Sequence, residues 1–149
     1  MNGPKIGIVA RGSSNFSNDK NRSLDLRELV TQLPKNANYV VLQKHFSDDE
    51  LAYIRDTNNI AAPDEMLETF SDTAAICAHL DQVISVDTGV AHLSAALGRP
   101  TFLSLPYRSD WRWGADGKTT VWYPSVKLLR QTRSGEWGSA LSAWHVDCM

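Results

Sequence analysis

Short apolar runs alternate with amphipathic segments along most of the chain. The apolar runs predict β-strands at residues 5–10, 39–42, 82–86, 101–105 and 126–130, and a short strand within 58–63. Helical spacing of apolar residues, with stop signals at Pro34 and Gly98, predicts helices over 24–33, 47–55, 73–80 and 88–97, and from 135 onward. Ser71 or Asp72 is the expected cap of the third helix.

This alternation of strands and helices is typical of a parallel sheet joined by right-handed crossovers. The predicted fold is therefore a Rossmann-like α/β domain with helices on both faces of the sheet. A chain of 149 residues suits one hydrophobic core, so residues 1–149 are predicted to form a single domain.

The composition is that of an ordinary globular protein, with 42% hydrophobic and 21% charged residues. A net charge of −2 argues against nucleic acid as the main partner. No run approaches the apolar length of a membrane span. Cys77 and Cys148 are too few for a disulfide framework or a zinc site, so a cytoplasmic location is expected.

The run 85–96 carries the main candidate chemistry, because small polar residues follow a buried strand and open a helix. Asp87 occupies a preferred N-cap position, and Thr88 and Gly89 present a hydroxyl and backbone N–H groups. His92 lies on the same helical face as Thr88. The four residues together predict an anion site at a helix N-terminus, although Asp87 alone is better explained as a cap and the alternative for His92 is a solvated side chain.

An apolar stripe on the same helix, formed by Val90, Leu93 and Leu97, is expected to pack on the sheet. The long polar loop 11–22 follows the first strand and is expected at the same sheet edge as Asp87. Lys20 and Arg22 would supply positive charge there, the alternative being a solvated loop.

Several common anion-binding and metal-binding motifs are missing from the sequence. Gly7 and Gly12 match part of a P-loop, but the required lysine is replaced by Ser13-Ser14. No GxGxxG follows the first strand, and there is no Asp-x-Asp pair to hold a divalent cation. A dinucleotide cofactor and a metal are therefore not expected.

An ordered series of short stretches resembles one known family. The series comprises residues 6–9, 18–23, 42–44, 70–75, 86–93, 97–100, the Asp-Trp-Arg-Trp of 110–113 and the Trp-Tyr-Pro of 122–124. It resembles the C-terminal half of GT-B glycosyltransferases of the heptosyltransferase type, particularly bacterial versions that follow tetratricopeptide repeats. The resemblance covers nearly the whole chain.

The resemblance implies a site for a nucleotide-diphosphate-sugar, with no further cofactor. Thr88 and Gly89 would hold the diphosphate, Lys20 would neutralise it, and Arg22 is a second candidate for this role. Further contacts would come from Asp87 and His92 to sugar or phosphate, and from Gln43 to base or ribose. Trp111 and Trp113 are left out of the binding set, because large aromatic residues in a long loop more often cover the core.

The resulting hypothesis is a donor-binding domain of an inverting, metal-independent glycosyltransferase without its acceptor domain. Activity would require a separate N-terminal GT-B domain, and that domain or a repeat domain is the expected partner. The isolated chain is expected to bind donor and to transfer little or no sugar. The alternative is a non-catalytic nucleotide-binding or interaction module, or a subunit of a split enzyme.

Overall fold

The computed structural model describes residues 3–12 and 22–148, with side chains as far as residue 144. Its strands are β1 (Lys5–Val9), β2 (Asn38–Val41), β3 (Ile60–Ala61), β4 (Gln82–Val86), β5 (Thr101–Leu105) and β6 (Val126–Arg130). All neighbouring strands pair in parallel, in the order β3-β2-β1-β4-β5-β6. The predicted parallel sheet is therefore confirmed.

The helices between the strands are α1 (Leu26–Thr31), α2 (Asp48–Arg55), α3 (Phe70–Cys77), α4 (Gly89–Ala96) and α5 (Trp137–Cys148). Short 3-10 helices cover Asp64–Met66 and Trp111–Trp113. Within the described residues, no helix combines the length and the apolar character that crossing a membrane requires.

Helices cover both faces of the sheet, as the sequence predicts. On one face, Ile6 and Ile8 of β1 share an apolar cluster with Leu29 of α1 and Leu141 of α5. On the other face, Val9 of β1 joins a cluster with Cys77 of α3. Helix α4 packs on that second face through a further cluster with β5 and β6.

Gly7 allows close packing in the middle of β1. A Cβ atom there would lie 2.7 Å from Leu80 Cδ1 and 2.9 Å from Leu42 Cδ1. The segment that follows α3 can therefore approach the sheet directly beside β1.

The N-cap of α3 differs from the sequence prediction. Thr69, rather than Ser71 or Asp72, is the cap residue, and Asp72 occupies the N3 position of a capping box. The Asp72 carboxylate accepts a bond from the Thr69 backbone N–H, and the Asp72 backbone N–H donates to the Thr69 hydroxyl. This reciprocal pair starts the helix at Phe70, because it satisfies two donors that a cap at Ser71 would leave open.

Helix α4 also corrects two expectations. Thr88 is its cap residue, while Asp87 precedes the cap and its carboxylate accepts a hydrogen bond from Trp113. The expected apolar stripe is wrong at Leu97, which is 47% exposed. The buried face is formed instead by the small residues Ala91, Ser94 and Ala95. Small side chains allow α4 to lie close to the sheet.

Candidate functional site

The candidate site lies where the strand order reverses, between β1 and β4. Connections from these two strands lead to opposite sides of the sheet, which opens a crevice beyond their carboxyl ends. Val9 ends β1 and Val86 ends β4. The polar residues that follow β4 therefore enter the crevice together with those that follow β1.

Helix α4 points its N-terminus at this crevice. Thr88 has an extended backbone and, among the described residues, makes no side-chain cap bond to the helix. The Ser85 hydroxyl donates to the Val86 carbonyl, so the Thr88 hydroxyl is the donor in its 3.1 Å bond to Ser85. Thr88 thus braces the turn, and its side chain does not cap the first backbone N–H groups of α4.

Asp87 and His92 belong to a polar and aromatic cluster beside this helix. Trp113 Nε1 donates to Asp87 Oδ2 at 2.9 Å, and His92 Nε2 lies 3.8 Å from Asp87 Oδ1. His92 Nδ1 is 2.9 Å from the Tyr123 hydroxyl oxygen, and its ring lies 5.3 Å from that of Trp113. The contacts of its two ring nitrogens with Asp87 and Tyr123 therefore fix the His92 ring beside Trp113.

Arg22 reaches the same place from the loop after β1. Its Nη1 donates to the backbone carbonyl of Asp87 at 2.5 Å. Gly12 permits this approach, because a Cβ at Gly12 would lie 2.3 Å from Arg22 Nη2. The expected meeting of this loop with Asp87 is thus observed for Arg22. Lys20, the other cation expected here, lies outside the described residues.

Two cavities adjoin at the start of α4. The smaller has a volume of about 140 Å³ and is mostly polar. It is lined by residues from the loop after β1, the start of α4 and the Asp-Trp-Arg-Trp segment: Arg22, Asp87, Thr88, Gly89, His92, Asp110 and Arg112. Arg22, Asp87, Thr88, Gly89 and His92, five of the predicted site residues, therefore share one cavity.

The larger cavity has a volume of about 440 Å³ and also reaches Thr88 and Gly89. Val9, Leu42 and Phe70 give it apolar walls. Phe70 is 64% exposed, and its ring closes against Gly89. The larger cavity can accept a flat apolar group, and it shares Thr88 and Gly89 with the smaller cavity.

Gln43 lines the larger cavity, but its amide is engaged with the backbone. Its Oε1 accepts from the Ala10 N–H at 3.2 Å, and its Nε2 donates to the His45 carbonyl at 3.1 Å. Gln43 therefore ties together the chain segments after β1 and β2. Nearby, the Arg11 guanidinium pairs with the buried carboxylate of Glu50, which fixes Arg11 at the cavity wall.

The loop between β5 and β6, which contains the Asp-Trp-Arg-Trp segment, is held at the site by several hydrogen bonds. The Arg130 guanidinium on β6 donates to the carbonyls of Trp113, Gly114, Asp116 and Gly117. Burial lowers the pKa of Arg130, and the Asp116 carboxylate opposes that shift. Trp113 itself is 4% exposed and packs beside α4. The loop is thereby fixed against α4.

Sequence reasoning did not place Phe70, Asp110, Arg112 or Tyr123 in the site. In the sequence, these residues are marked only by their position within the stretches that resemble glycosyltransferases of the heptosyltransferase type. Their meeting with α4 depends on the folding of a long loop that has no hydrophobic periodicity. Trp113 covers the core as expected, yet it also holds Asp87.

Known proteins resemble this chain in both sequence and structure. Protein FlbA of Caulobacter vibrioides is 29% identical over 143 residues, which cover 91% of this chain and 23% of that protein. The E. coli heptosyltransferase WaaC, solved with ADP, matches 99% of this chain at 17% identity with a TM-score of 0.70. The same enzyme with ADP-2-deoxy-2-fluoro heptose gives a TM-score of 0.64 at 18% identity, again over 99% of this chain.

A third solved structure is Thermosulfurimonas dismutans KpsC, a beta Kdo 2,4 transferase, at 14% identity and a TM-score of 0.50 over 95% of this chain. The chain spans 44% to 45% of the length of the three solved structures. These likenesses show a shared fold and confirm the predicted GT-B architecture.

The family assignment rests on the sequence match. The description "Glycosyltransferase family 9 (heptosyltransferase)" matches residues 24–105, more than half of the chain, from the segment before α1 to the end of β5. This region contains α4 and the end of β4, one of the two strand ends that form the crevice. The chain belongs to glycosyltransferase family 9, the heptosyltransferase family.

Proposed function

We propose that this chain binds the nucleotide-diphosphate-sugar donor of an inverting, metal-independent glycosyl transfer. The observation that carries the proposal is that the two cavities meet at Thr88 and Gly89. A nucleotide-diphosphate-sugar has a flat base at one end, an anionic diphosphate in the middle and a polar sugar beyond it. The sequence of apolar cavity, helix N-terminus and polar cavity follows the same order.

The larger cavity suits the nucleoside. Val9, Leu42 and Phe70 offer apolar surface, and an exposed aromatic ring beside a crevice is a platform on which a base can stack. Gln43 keeps the cavity open by bonding the segments that follow β1 and β2. Gln43 would therefore affect nucleoside binding by shaping the wall of the larger cavity.

The helix start and the smaller cavity suit the diphosphate and the sugar. The backbone N–H groups at Gly89 and beyond carry the positive end of the α4 dipole. Arg22 adds a guanidinium at this point, and Lys20 is proposed as a further cation. Asp87 and His92 lie beyond, where a sugar hydroxyl would meet a carboxylate and an imidazole.

The part of this chain in catalysis would be electrostatic. When the anomeric C–O bond breaks, negative charge grows on the departing diphosphate, and fixed positive groups stabilise that charge without a metal. The hydroxyl oxygen of the acceptor substrate would form the new bond to the anomeric carbon as the nucleoside diphosphate leaves. A separate domain would bind the acceptor and supply the base that takes the hydroxyl proton. We therefore expect the isolated chain to bind donor but to transfer little or no sugar.

Isothermal titration calorimetry tests the proposal directly. The chain is titrated with ADP, GDP, UDP, CDP and dTDP and with sugar derivatives of each. Saturable binding to at least one is expected, with a loss of about tenfold in Lys20→Ala and in Arg22→Ala, because each removes a charge-assisted bond to phosphate.

Lys35→Ala is the matched control, since Lys35 is exposed and follows α1 on the way to β2. Binding to none of these nucleotides would contradict the proposal and leave a non-catalytic interaction module as the better account.

A further inference from the structure

We propose that Arg112 is the residue that recognises the terminal phosphate of the donor's nucleoside diphosphate. The inference rests on the proposed function and assigns a specific contact within it. Arg112 lies in the Asp-Trp-Arg-Trp segment and lines the smaller cavity, across from the loop that carries Arg22. Two guanidinium groups from distant parts of the chain thus border one cavity at a helix N-terminus.

Among residues 3–12 and 22–148, the side-chain contacts that position Arg112 leave most of its N–H donors available. Its Nε lies 3.1 Å from Asp110 Oδ1, and its Nη1 lies 3.5 Å from His92 Nε2. The second contact is at the outer limit of a hydrogen bond, so a phosphate oxygen would be a better acceptor. The guanidinium fork matches the oxygens of a phosphate group.

The backbone around Arg112 is held independently of its side chain. The Arg112 backbone N–H donates to Asp110 Oδ1 at 3.1 Å, and its carbonyl accepts from Trp122 Nε1 at 2.9 Å. Trp113, the next residue, is buried and bonded to Asp87. A substitution of the Arg112 side chain therefore leaves the bonds that fold this segment in place.

The acidic residues of the cavity are already engaged. Asp110 faces the Arg112 guanidinium and backbone, and Asp87 accepts from Trp113. Their charges are therefore partly satisfied by donors within the fold. Together with the N-terminus of α4, Arg22 and Arg112 then form the cationic wall that an incoming phosphate would meet.

The position of Arg112 points to one phosphate in particular. Arg22 donates to the carbonyl of Asp87, immediately before the point where the two cavities meet. Both arginines line the smaller cavity, but Arg112 contacts Asp110 and His92, and His92 lies a full helical turn beyond the start of α4. A diphosphate that runs from the nucleoside cavity into the smaller cavity would reach Arg112 with its second phosphate.

The test compares diphosphate with monophosphate binding. The chain is titrated with the nucleoside diphosphate that it binds best and with the matching monophosphate. In Arg112→Gln we expect the diphosphate affinity to fall about tenfold or more and the monophosphate affinity to change less than about twofold. Arg112→Lys should lie between wild type and Arg112→Gln, because it keeps the charge but loses the fork.

Arg108→Gln is the matched control, since Arg108 is an exposed arginine at the start of the same loop. It should leave both affinities unchanged. Near-ultraviolet circular dichroism checks that the tryptophan environment is retained, and Arg112→Lys decides the matter if Arg112→Gln does not fold.

The outcomes separate this inference from the proposed function. Wild-type diphosphate binding that persists in Arg112→Gln, or an equal loss of diphosphate and monophosphate affinity, would overturn the role of Arg112 and leave the donor site standing. Failure of the wild-type chain to bind any nucleoside diphosphate would overturn both.

Discussion

Trp113 donates its indole N–H to the carboxylate of Asp87, with 2.9 Å between Nε1 and Oδ2. The bond joins Asp87, the residue before the N-cap of α4, to a loop that begins after β5. Because Trp113 is 4% exposed, the carboxylate is held by a donor that water cannot easily replace. The orientation of Asp87 and the position of the Asp-Trp-Arg-Trp segment are therefore fixed by the same contact.

Replacing Trp113 with phenylalanine should destabilise the protein and weaken donor binding together. The variant removes the indole N–H and leaves part of the Asp87 carboxylate without its buried partner, a loss of about 1–3 kcal/mol. Packing lost with the smaller ring adds to this cost. Urea denaturation followed by circular dichroism measures the free energy of unfolding, and calorimetry measures nucleotide affinity.

The matched control for that variant is Trp111→Phe, because Trp111 is 80% exposed and stands in the same motif. It should change the free energy of unfolding by less than about 0.5 kcal/mol. Equal destabilisation by both variants would show that the Trp113–Asp87 bond contributes nothing specific.

Gly89→Ala should separate binding from stability. A Cβ at Gly89 would lie 3.0 Å from Phe70 Cζ, and the exposed Phe70 ring can turn aside to make room. Since Gly89 has no positive φ, alanine fits the backbone and should leave stability unchanged or raise it by up to about 1 kcal/mol. The methyl group and the displaced ring would occupy the junction of the two cavities, so nucleotide affinity should fall.

Titration calorimetry and thermal unfolding of Gly89→Ala, Phe70→Ala and the double variant complete this test. A Gly89→Ala protein that binds nucleotide as tightly as wild type would contradict the placement of the ligand at the start of α4. An additive loss in the double variant would indicate that the two residues act separately.

The fold could be predicted because its strands are continuous apolar runs. The predicted limits of β4, β5 and β6 coincide with the observed ones, since buried strands leave a clear pattern in sequence. The start of α3 could not be placed as well. Thr69 and Asp72 form a capping box that competes with the equally plausible cap at Ser71.

The positions of the site residues were predictable only where the order of the parallel strands determines them. Parallel strands bring the loops after β1 and β4 to one edge, so the meeting of Arg22 with Asp87 follows from the fold. The placement of Arg112 and Trp113 does not follow from periodicity. It depends on hydrogen bonds across a long loop, in which Arg130 on β6 is the central donor.

Asp72→Asn should reveal a pH-dependent contribution to stability. The hydrogen bond from the Thr69 hydroxyl, followed by that from the Thr69 backbone N–H, lowers the pKa of Asp72. The stabilisation is therefore complete above the pKa of an unfolded aspartate, about 3.9, and is lost as the pH falls through the lower folded pKa. Asp72→Asn should be less stable than wild type at neutral pH, and the difference should narrow in acid.

Urea denaturation of wild type and Asp72→Asn across the range from neutral to acidic pH measures that difference. Thr69→Ala serves as the comparison, because it removes the hydroxyl donor but keeps the backbone N–H, and it should show a smaller narrowing. A difference in unfolding free energy that stays constant with pH would contradict the role of the charged cap.

Arg130→Lys should loosen the loop that carries Arg112 without disturbing the sheet. The guanidinium donates to the carbonyls of Trp113, Asp116 and Gly117, and an ammonium group cannot reach so many acceptors from one position. We expect a loss of about 1 kcal/mol in the free energy of unfolding, since several hydrogen bonds are lost and the one to the Trp113 carbonyl is partly buried. Amide hydrogen exchange should become faster within residues 109–117 and stay unchanged in β4 and β5, and diphosphate affinity should fall.

Lys127→Arg, an exposed position on the same strand, is the control and should alter none of these quantities. Unchanged exchange in the loop of Arg130→Lys would show that other contacts hold the Asp-Trp-Arg-Trp segment against α4.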